Sequence, residues 1–224
     1  MDAKNRRQLA LLDARRAMVL DAAREVFGRL GLERTSMREI AKQAGYTPGA
    51  LYAFFANKAE LLVSLMEDIL VQLLNAVAQV KPGKSLPEQL LLDRGSAWIA
   101  FFTARPRDLE LTLHLLAGSS LRDMPPELAA RLHPRLRDSL QPLAQVLLAR
   151  GVDPAEADRE MEALLAHGMG LLLSQDSTRL QSPANSPEAL FAHYLEGMCQ
   201  RYLGVRDAQV PQQMVNAPQV DLFR

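Results

Sequence analysis

Ser36-Met37-Arg38-Glu39-Ile40-Ala41-Lys42-Gln43-Ala44-Gly45-Tyr46-Thr47-Pro48-Gly49-Ala50-Leu51-Tyr52-Ala53-Phe54-Phe55-Ala56-Asn57-Lys58 is the stretch on which the fold turns. Ser36 and Glu39 form an S-x-x-E capping box, in which each side chain satisfies a free backbone N–H at the other end. Met37, Ile40, Ala41 and Ala44 follow at helical spacing. Gly45 permits the positive φ of a tight turn. Thr47-Pro48 then caps and starts another helix, because proline at the first helical position forfeits no hydrogen bond. The spacing predicts two short helices joined at Gly45, with an exposed polar and aromatic edge on the second. That is the geometry with which a protein enters a DNA major groove.

The flanks extend the pattern. Val19, Ala22, Ala23, Val26, Phe27 and Leu30 mark one buried face of a helix from about Arg15 to Leu30, stopped by Gly31. Downstream, Asn57 and Glu60 repeat the capping pattern, and Leu61, Leu62, Leu65, Ile69, Leu73 and Val77 carry a longer helix that Lys81-Pro82-Gly83 should end. Ser85 and Glu88 cap a helix containing Leu91, Trp98, Phe101 and Phe102, which Pro106 terminates, and a helix around Asp108 to Ala117 follows. The region from Pro126 to Arg150 should kink or split at Pro134 and Pro142. Asp153-Pro154-Ala155-Glu156 restarts a helix with Met161, Leu164, Leu165, Gly168, Leu171 and Leu172 on one stripe. Residues Thr178 to Asn185 read as a loop, and Ser186-Pro187 opens a last helix through Leu190, Tyr194, Leu195 and Met198 to Gly204. Gly168 and Gly170 permit close helix approach. The expectation is an all-α protein of about nine helices, with a tail over 205–224 that lacks periodicity and should be disordered.

Composition narrows the classes. No apolar run reaches the ~18 residues of a membrane span, and the residues after Met1 lack the apolar stretch of a signal peptide, so a cytoplasmic protein is expected. Cys199 is the only cysteine, which excludes an internal disulfide, and its apolar helical neighbours point to a buried thiol. The 26 basic and 26 acidic residues cancel overall, yet residues 1–58 hold 11 Lys and Arg against 6 acids. The first quarter is therefore +5 and the remainder −5, which draws a polyanion to the first quarter. His114, His133, His167 and His193 show no metal-ligand spacing, and no phosphate-cradling glycine loop or nucleophile elbow is visible. No catalytic or metal residue and no cofactor are assigned.

Residues 15–62 closely resemble the N-terminal domain of TetR-family transcriptional regulators. The match comprises Ala23, Phe27, Gly31, Thr35, Ile40, Ala41, Ala44, Gly45, Gly49, Leu51, Tyr52, Phe55, Lys58 and Leu61. The resemblance implies a three-helix DNA-binding head with the helix-turn-helix at about 36–55, and a larger ligand-binding and dimerisation domain over 63–204. Residues 1–14 would be a flexible arm. It also implies a homodimer paired through the last two long helices, a palindromic double-stranded DNA operator, and a small-molecule effector whose binding releases the operator. Carried over by position, Ser36, Tyr52 and Lys58 sit where family members touch phosphate. Thr47, Pro48, Gly49 and Ala50 start the recognition helix, and Arg38 can approach a base edge or the backbone. The family commonly has His or Tyr where this chain has Phe54, which cannot donate to a phosphate.

For Leu51 and Phe55, core packing is the expected role. Trp98, Phe101 and Phe102, with His114, are candidate ligand-binding residues, and the three aromatics fit core packing equally well. Met161, Leu164, Leu165, Gly168, Leu172, Tyr194 and Met198 are candidate dimer-interface residues. The reading is a ligand-responsive regulator, a repressor, with a hydrophobic effector. Two alternatives are a helical interaction protein that has lost operator binding and an enzyme built on a helical bundle.

Overall fold

A computed structural model of the chain describes residues 3–83, 86–117, 126–175 and 182–204. Among these are ten α-helices, one more than expected, and a short 3-10 turn at Pro183–Asn185; no strand occurs. The helices are α1 (Ala3–Leu30), α2 (Met37–Ala44), α3 (Pro48–Tyr52), α4 (Lys58–Ala78), α5 (Pro87–Thr103), α6 (Pro106–Ala117), α7 (Pro126–Asp138), α8 (Gln141–Ala149), α9 (Pro154–Leu173) and α10 (Pro187–Tyr202).

Local chemistry explains most boundaries. Ser36, Thr47, Asn57, Asp153 and Ser186 each accept a backbone N–H from the first turn of the helix they precede. Glu60 completes the Asn57 cap by accepting from the Ala56 N–H at 2.9 Å. Pro142 sits in the first turn of α8 and splits the 126–150 region from α7, whereas Pro134 is accommodated inside α7.

Three boundaries differ from expectation. α1 begins at Ala3 rather than near Arg15, so residues 3–14 continue the helix; their Lys, Arg, Gln, Leu and Ala are strong helix formers with no Gly or Pro to stop them. α4 ends at Ala78, before Lys81-Pro82-Gly83. α5 is preceded by Leu86, which makes no side-chain cap, and Pro87 initiates it; Ser85 lies outside the described residues. Of the expected loop from Thr178 to Asn185, residues 178–181 lie outside the described residues and Pro183–Asn185 form the 3-10 turn; the 205–224 tail also lies outside the described residues.

α4 organises the molecule. Leu61, Val63, Leu65, Met66, Ile69, Leu70, Leu73 and Val77 are buried, and the helix packs against α1, α5, α6, α7 and α8. Contrary to the sequence expectation, it is long and apolar enough, by length and composition, to cross a bilayer. Its mid-helix charges have protein partners, however: Glu67 pairs with Arg131 at 2.7 Å and Asp68 with Arg24 at 3.0 Å. In the body, Trp98 on α5 is fully buried, stacks on Phe191 of α10 at 5.5 Å, meets Phe102 edge to face, and donates from Nε1 to Ser139 Oγ at 2.9 Å. Gly168 of α9 lies over this cluster; a Cβ there would fall 2.6 Å from Trp98 Cζ3 and 2.9 Å from Phe191 Cε2.

Cys199 is buried, its thiol 3.7 Å from the Glu88 carbonyl. Burial, with smaller contributions from Glu88 and Glu196, pushes the thiol up to about 11 from an ordinary value of 9.0. The unfolded chain therefore loses this proton first. The stability contribution is complete below pH 9.0 and is lost as pH rises toward about 11. Thermal midpoints measured across that window should fall more steeply for the wild type than for Cys199→Ala, and equal slopes would contradict the assignment.

Candidate nucleic-acid interface

The turn between α2 and α3 is built from backbone bonds. Gly45 has φ 73°, its N–H reaches Lys42 O at 3.3 Å, and Tyr46 N–H reaches Ala41 O at 2.8 Å, which closes α2 with a left-handed cap. Thr47 Oγ1 then accepts from Ala50 N–H at 3.2 Å, and Pro48 begins α3. Leu51 and Phe55 are fully buried, which fixes the rotation of α3 and turns Tyr52 outward at 51% exposure. Ser36, Arg38, Thr47, Pro48 and Gly49 are exposed, and Ala50 is half-buried. Nothing in the chain lies within 4 Å of where a Gly49 Cβ would stand, so packing does not demand glycine there. Ser36 and Thr47 use their oxygens as acceptors within the caps and keep a hydroxyl proton to donate outward.

Two positions have protein partners that sequence spacing does not disclose. The Lys58 ammonium donates to the Leu32 carbonyl at 2.5 Å, and desolvation lowers its pKa despite the opposing charge of Glu33. One of its three donors is thus committed to the start of the α1–α2 connection, and two remain for an anion. Phe54 is half-buried and packs edge to face on Tyr46, with ring centroids 5.7 Å apart, so it braces the turn. Arg16, which spacing passes over, donates to Phe54 O at 2.9 Å and to Ser64 Oγ at 2.7 Å. The available signal was its place three residues before Val19 on the buried stripe of α1.

Charge adds to the apolar packing between α1, α4 and α6. Arg24 on α1 donates from Nε to Asp108 of α6 at 2.9 Å and from Nη2 to Asp68 of α4 at 3.0 Å, and meets Asp21 at 3.1 Å. Burial pulls its pKa down, but the hydrogen bonds and charges of Asp68 and Asp108 outweigh that and leave it raised. Gln72 adds a 2.8 Å bond to Asp68.

The candidate body residues are mostly buried within the chain. Trp98, Phe101 and Phe102 are buried, with Phe102 edge to face on both Trp98 and Phe101 and Trp98 stacked on Phe191. His114 is half-buried on α6. Met161, Leu164, Gly168, Leu172 and Met198 are buried within the single chain, because the apolar stripes of α9 and α10 face α5 and each other; Leu165 and Tyr194 are half-buried. The outward stripe of α9 instead carries Ala163, Ala166, Gly170 and Leu173, the leucine 56% exposed. A cleft of about 240 Å³ between α4 and α7 is lined by Leu70, Val71, Leu74, Arg135 and Asp138. Among the described residues no His, Cys, Asp and Glu grouping suited to a metal ion occurs.

Comparison with known proteins places this geometry. Residues 19–65 match the family described as bacterial regulatory proteins, tetR family. The HTH-type transcriptional regulator TtgR of Pseudomonas putida is 43% identical over 54 residues, 24% of this chain and 26% of that protein. The match thus spans about a quarter of that relative's length. The fatty acid metabolism regulator protein of Bacillus subtilis is 27% identical over 152 residues, 67% of this chain and 75% of that one. Among solved structures, a transcriptional regulator from Rhodococcus superposes with a TM-score of 0.68 at 25% identity, over 85% of this chain and 98% of that one. With its capped helix-turn-helix and these relatives, the chain carries over residues 19–65 the N-terminal domain of the tetR family of bacterial regulatory proteins, and its helical fold is shared with a solved transcriptional regulator.

Proposed function

We propose that the chain is a cytoplasmic, ligand-responsive transcriptional repressor that binds a palindromic double-stranded DNA operator as a homodimer. The observation that carries this reading is the orientation of α3. Leu51 and Phe55 are sealed inside while Tyr52, Thr47, Pro48 and Gly49 face solvent beside Ser36 and Arg38, at the end of the chain that bears +5. In this reading residues 15–62 are the DNA-binding head and 63–204 the effector and dimerisation body. The Ser36 and Tyr52 hydroxyls and the two free Lys58 donors hold phosphates and set register, and Arg38 and Ala50 meet base edges. Few bidentate side chains lie on this edge, so DNA shape carries much of the specificity.

The two subunits pair through the outward faces of α9 and α10, with the small side chains at Ala163, Ala166 and Gly170 allowing close approach and Leu173 supplying apolar area. The effector is a hydrophobic small molecule. The apolar cleft on Leu70, Val71 and Leu74 supports this, since α4 carries the head and anything that moves α4 moves the recognition helix.

The test is selection of bound fragments from genomic DNA. One enriched palindrome is expected, with half-sites spaced about one helical turn, ~34 Å, or somewhat more. Tyr52→Ala should weaken binding to it about tenfold without lowering the thermal midpoint, because the side chain is half exposed. Lys58→Ala should also lower the salt slope by about one. Uniform binding to every duplex would sink the reading.

A further inference from the structure

The geometry points to Arg16 as a positioning residue that holds the exit of the recognition helix against α1 and α4, without touching DNA itself. The inference rests on the DNA-binding reading above. α3 spans only five residues, too few for a helix to persist on its own hydrogen bonds. Its entry is fixed by the Thr47 cap and the Gly45 turn. Its exit, at Phe54 and Phe55, has backbone bonds only to Leu51.

Arg16 supplies the missing anchor. Nη1 donates to the Phe54 carbonyl at 2.9 Å and Nη2 to Ser64 Oγ at 2.7 Å, and the guanidinium lies 4.2 Å from the centroid of the Phe55 ring. Phe55 is fully buried and Ser64 is 6% exposed, so both fixed points belong to the core. Both terminal nitrogens bond inward and the plane covers a ring, which leaves the side chain occupied by the protein. One planar fork thereby ties three elements: α1, the end of α3, and the helix that connects head to body. A shift of α4 is passed to the recognition helix through Ser64 and Arg16, in addition to apolar packing. Lysine cannot reproduce this, because it lacks the planar fork that reaches two acceptors while stacking.

The experiment compares wild type, Arg16→Lys, Arg16→Ala and Ser64→Ala. Each is measured for affinity to the operator selected by the wild type, affinity to random duplex, salt slope and thermal midpoint. Arg16→Lys is expected to lose about tenfold in the ratio of operator to random binding, with the salt slope and random-duplex affinity unchanged. Ser64→Ala should lose a smaller part of the same ratio. A salt slope that drops by about one in Arg16→Ala while Arg16→Lys binds as wild type would make Arg16 a phosphate contact and overturn the proposal. A lowered midpoint with an unchanged ratio, read well below that midpoint, would make it a stability residue only and also overturn it. Should Arg16→Ala fail to fold, the lysine and Ser64 variants still decide. If the wild type enriches no site, the DNA-binding reading fails first and this inference with it; if it does and Arg16→Lys keeps the full ratio, only the inference fails.

Discussion

Arg24→Ala should lower the thermal midpoint by roughly 8 °C and weaken operator binding, though it removes no atom of the DNA-facing edge. Arg24 is the cation shared by Asp108, Asp68 and Asp21, which lie on α6, α4 and α1. The Asp108 side chain is only 7% exposed, so truncating Arg24 strands a carboxylate in a poorly solvated place. Stranding one member of a buried pair costs about 3–5 kcal/mol, and the 23% exposure of Arg24 argues for the lower end. Asp68 and Asp21 are 38% and 72% exposed and add less than about 1 kcal/mol between them. A domain of this size shifts by about 2–4 °C per kcal/mol. The internal control is Asp21→Ala, which should move the midpoint by under about 2 °C because that pair is largely solvated. Comparable shifts for the two variants would show that the contact between α1, α4 and α6 is not held by this charge. The functional loss follows from geometry: with the hub gone, α1, α4 and α6 lose one of the contacts that hold them in register.

The second large effect is a pair of opposite outcomes two residues apart. Gly168→Ala places a Cβ 2.6 Å from Trp98 Cζ3 and 3.0 Å from Trp98 Cη2. Both Trp98 and the stacked Phe191 are fully buried, so neither ring has room to retreat. Overpacking of this kind costs about 1–3 kcal/mol, only partly offset by the roughly 1 kcal/mol that alanine gains over glycine inside a helix. Gly170→Ala meets nothing within 4 Å in the subunit and should keep that gain. Chemical denaturation of the two variants, in dilute samples where subunits are apart, should shift the midpoints in opposite directions. Gly170→Arg carries the same logic to the proposed dimer. The subunit accommodates the side chain in open space, whereas a partner packed against Ala166 and Gly170 does not, so sedimentation should report a monomer of unchanged helicity. A dimer that survives Gly170→Arg would move the subunit interface elsewhere.

Much of the head was legible in the chain because its instructions are local. Ser36 with Glu39, Thr47 with Ala50, and Asn57 with Glu60 bond across three residues, and Gly45 answers a backbone requirement at its own position. Side chain and backbone partners this close in sequence meet whatever the rest of the molecule does. The burial of Leu51 and Phe55 was likewise readable from helical spacing. The first three turns of α1 were not, because residues 5–14 are exposed and follow intrinsic propensity alone.

The body shows where such reading stops. The stripe through Met161, Leu164, Gly168 and Leu172 correctly announces a face removed from water, but periodicity carries no label for the surface that covers it. Here α5 and α10 cover much of it within one chain. Trp98, Phe101 and Phe102 are the same case: their size suits a pocket or a core equally, and only the packed molecule shows which rings they meet. Lys58 also changes character, from a free cation to one anchored on Leu32.

The amino-acid order alone specified an all-helical chain with a capped helix-turn-helix and the edge that α3 turns outward, since these follow from contacts within a few residues. The partners of Arg16, Arg24 and Lys58, the inward rotation of α9 and α10, and the closed aromatic core came only with the packed molecule. Arg16 meets Phe54 across 38 residues and Arg24 meets Asp108 across 84, and at such separations many partners of like charge and shape compete. The choice among them is made by how the helices pack, not by any single stretch of chain.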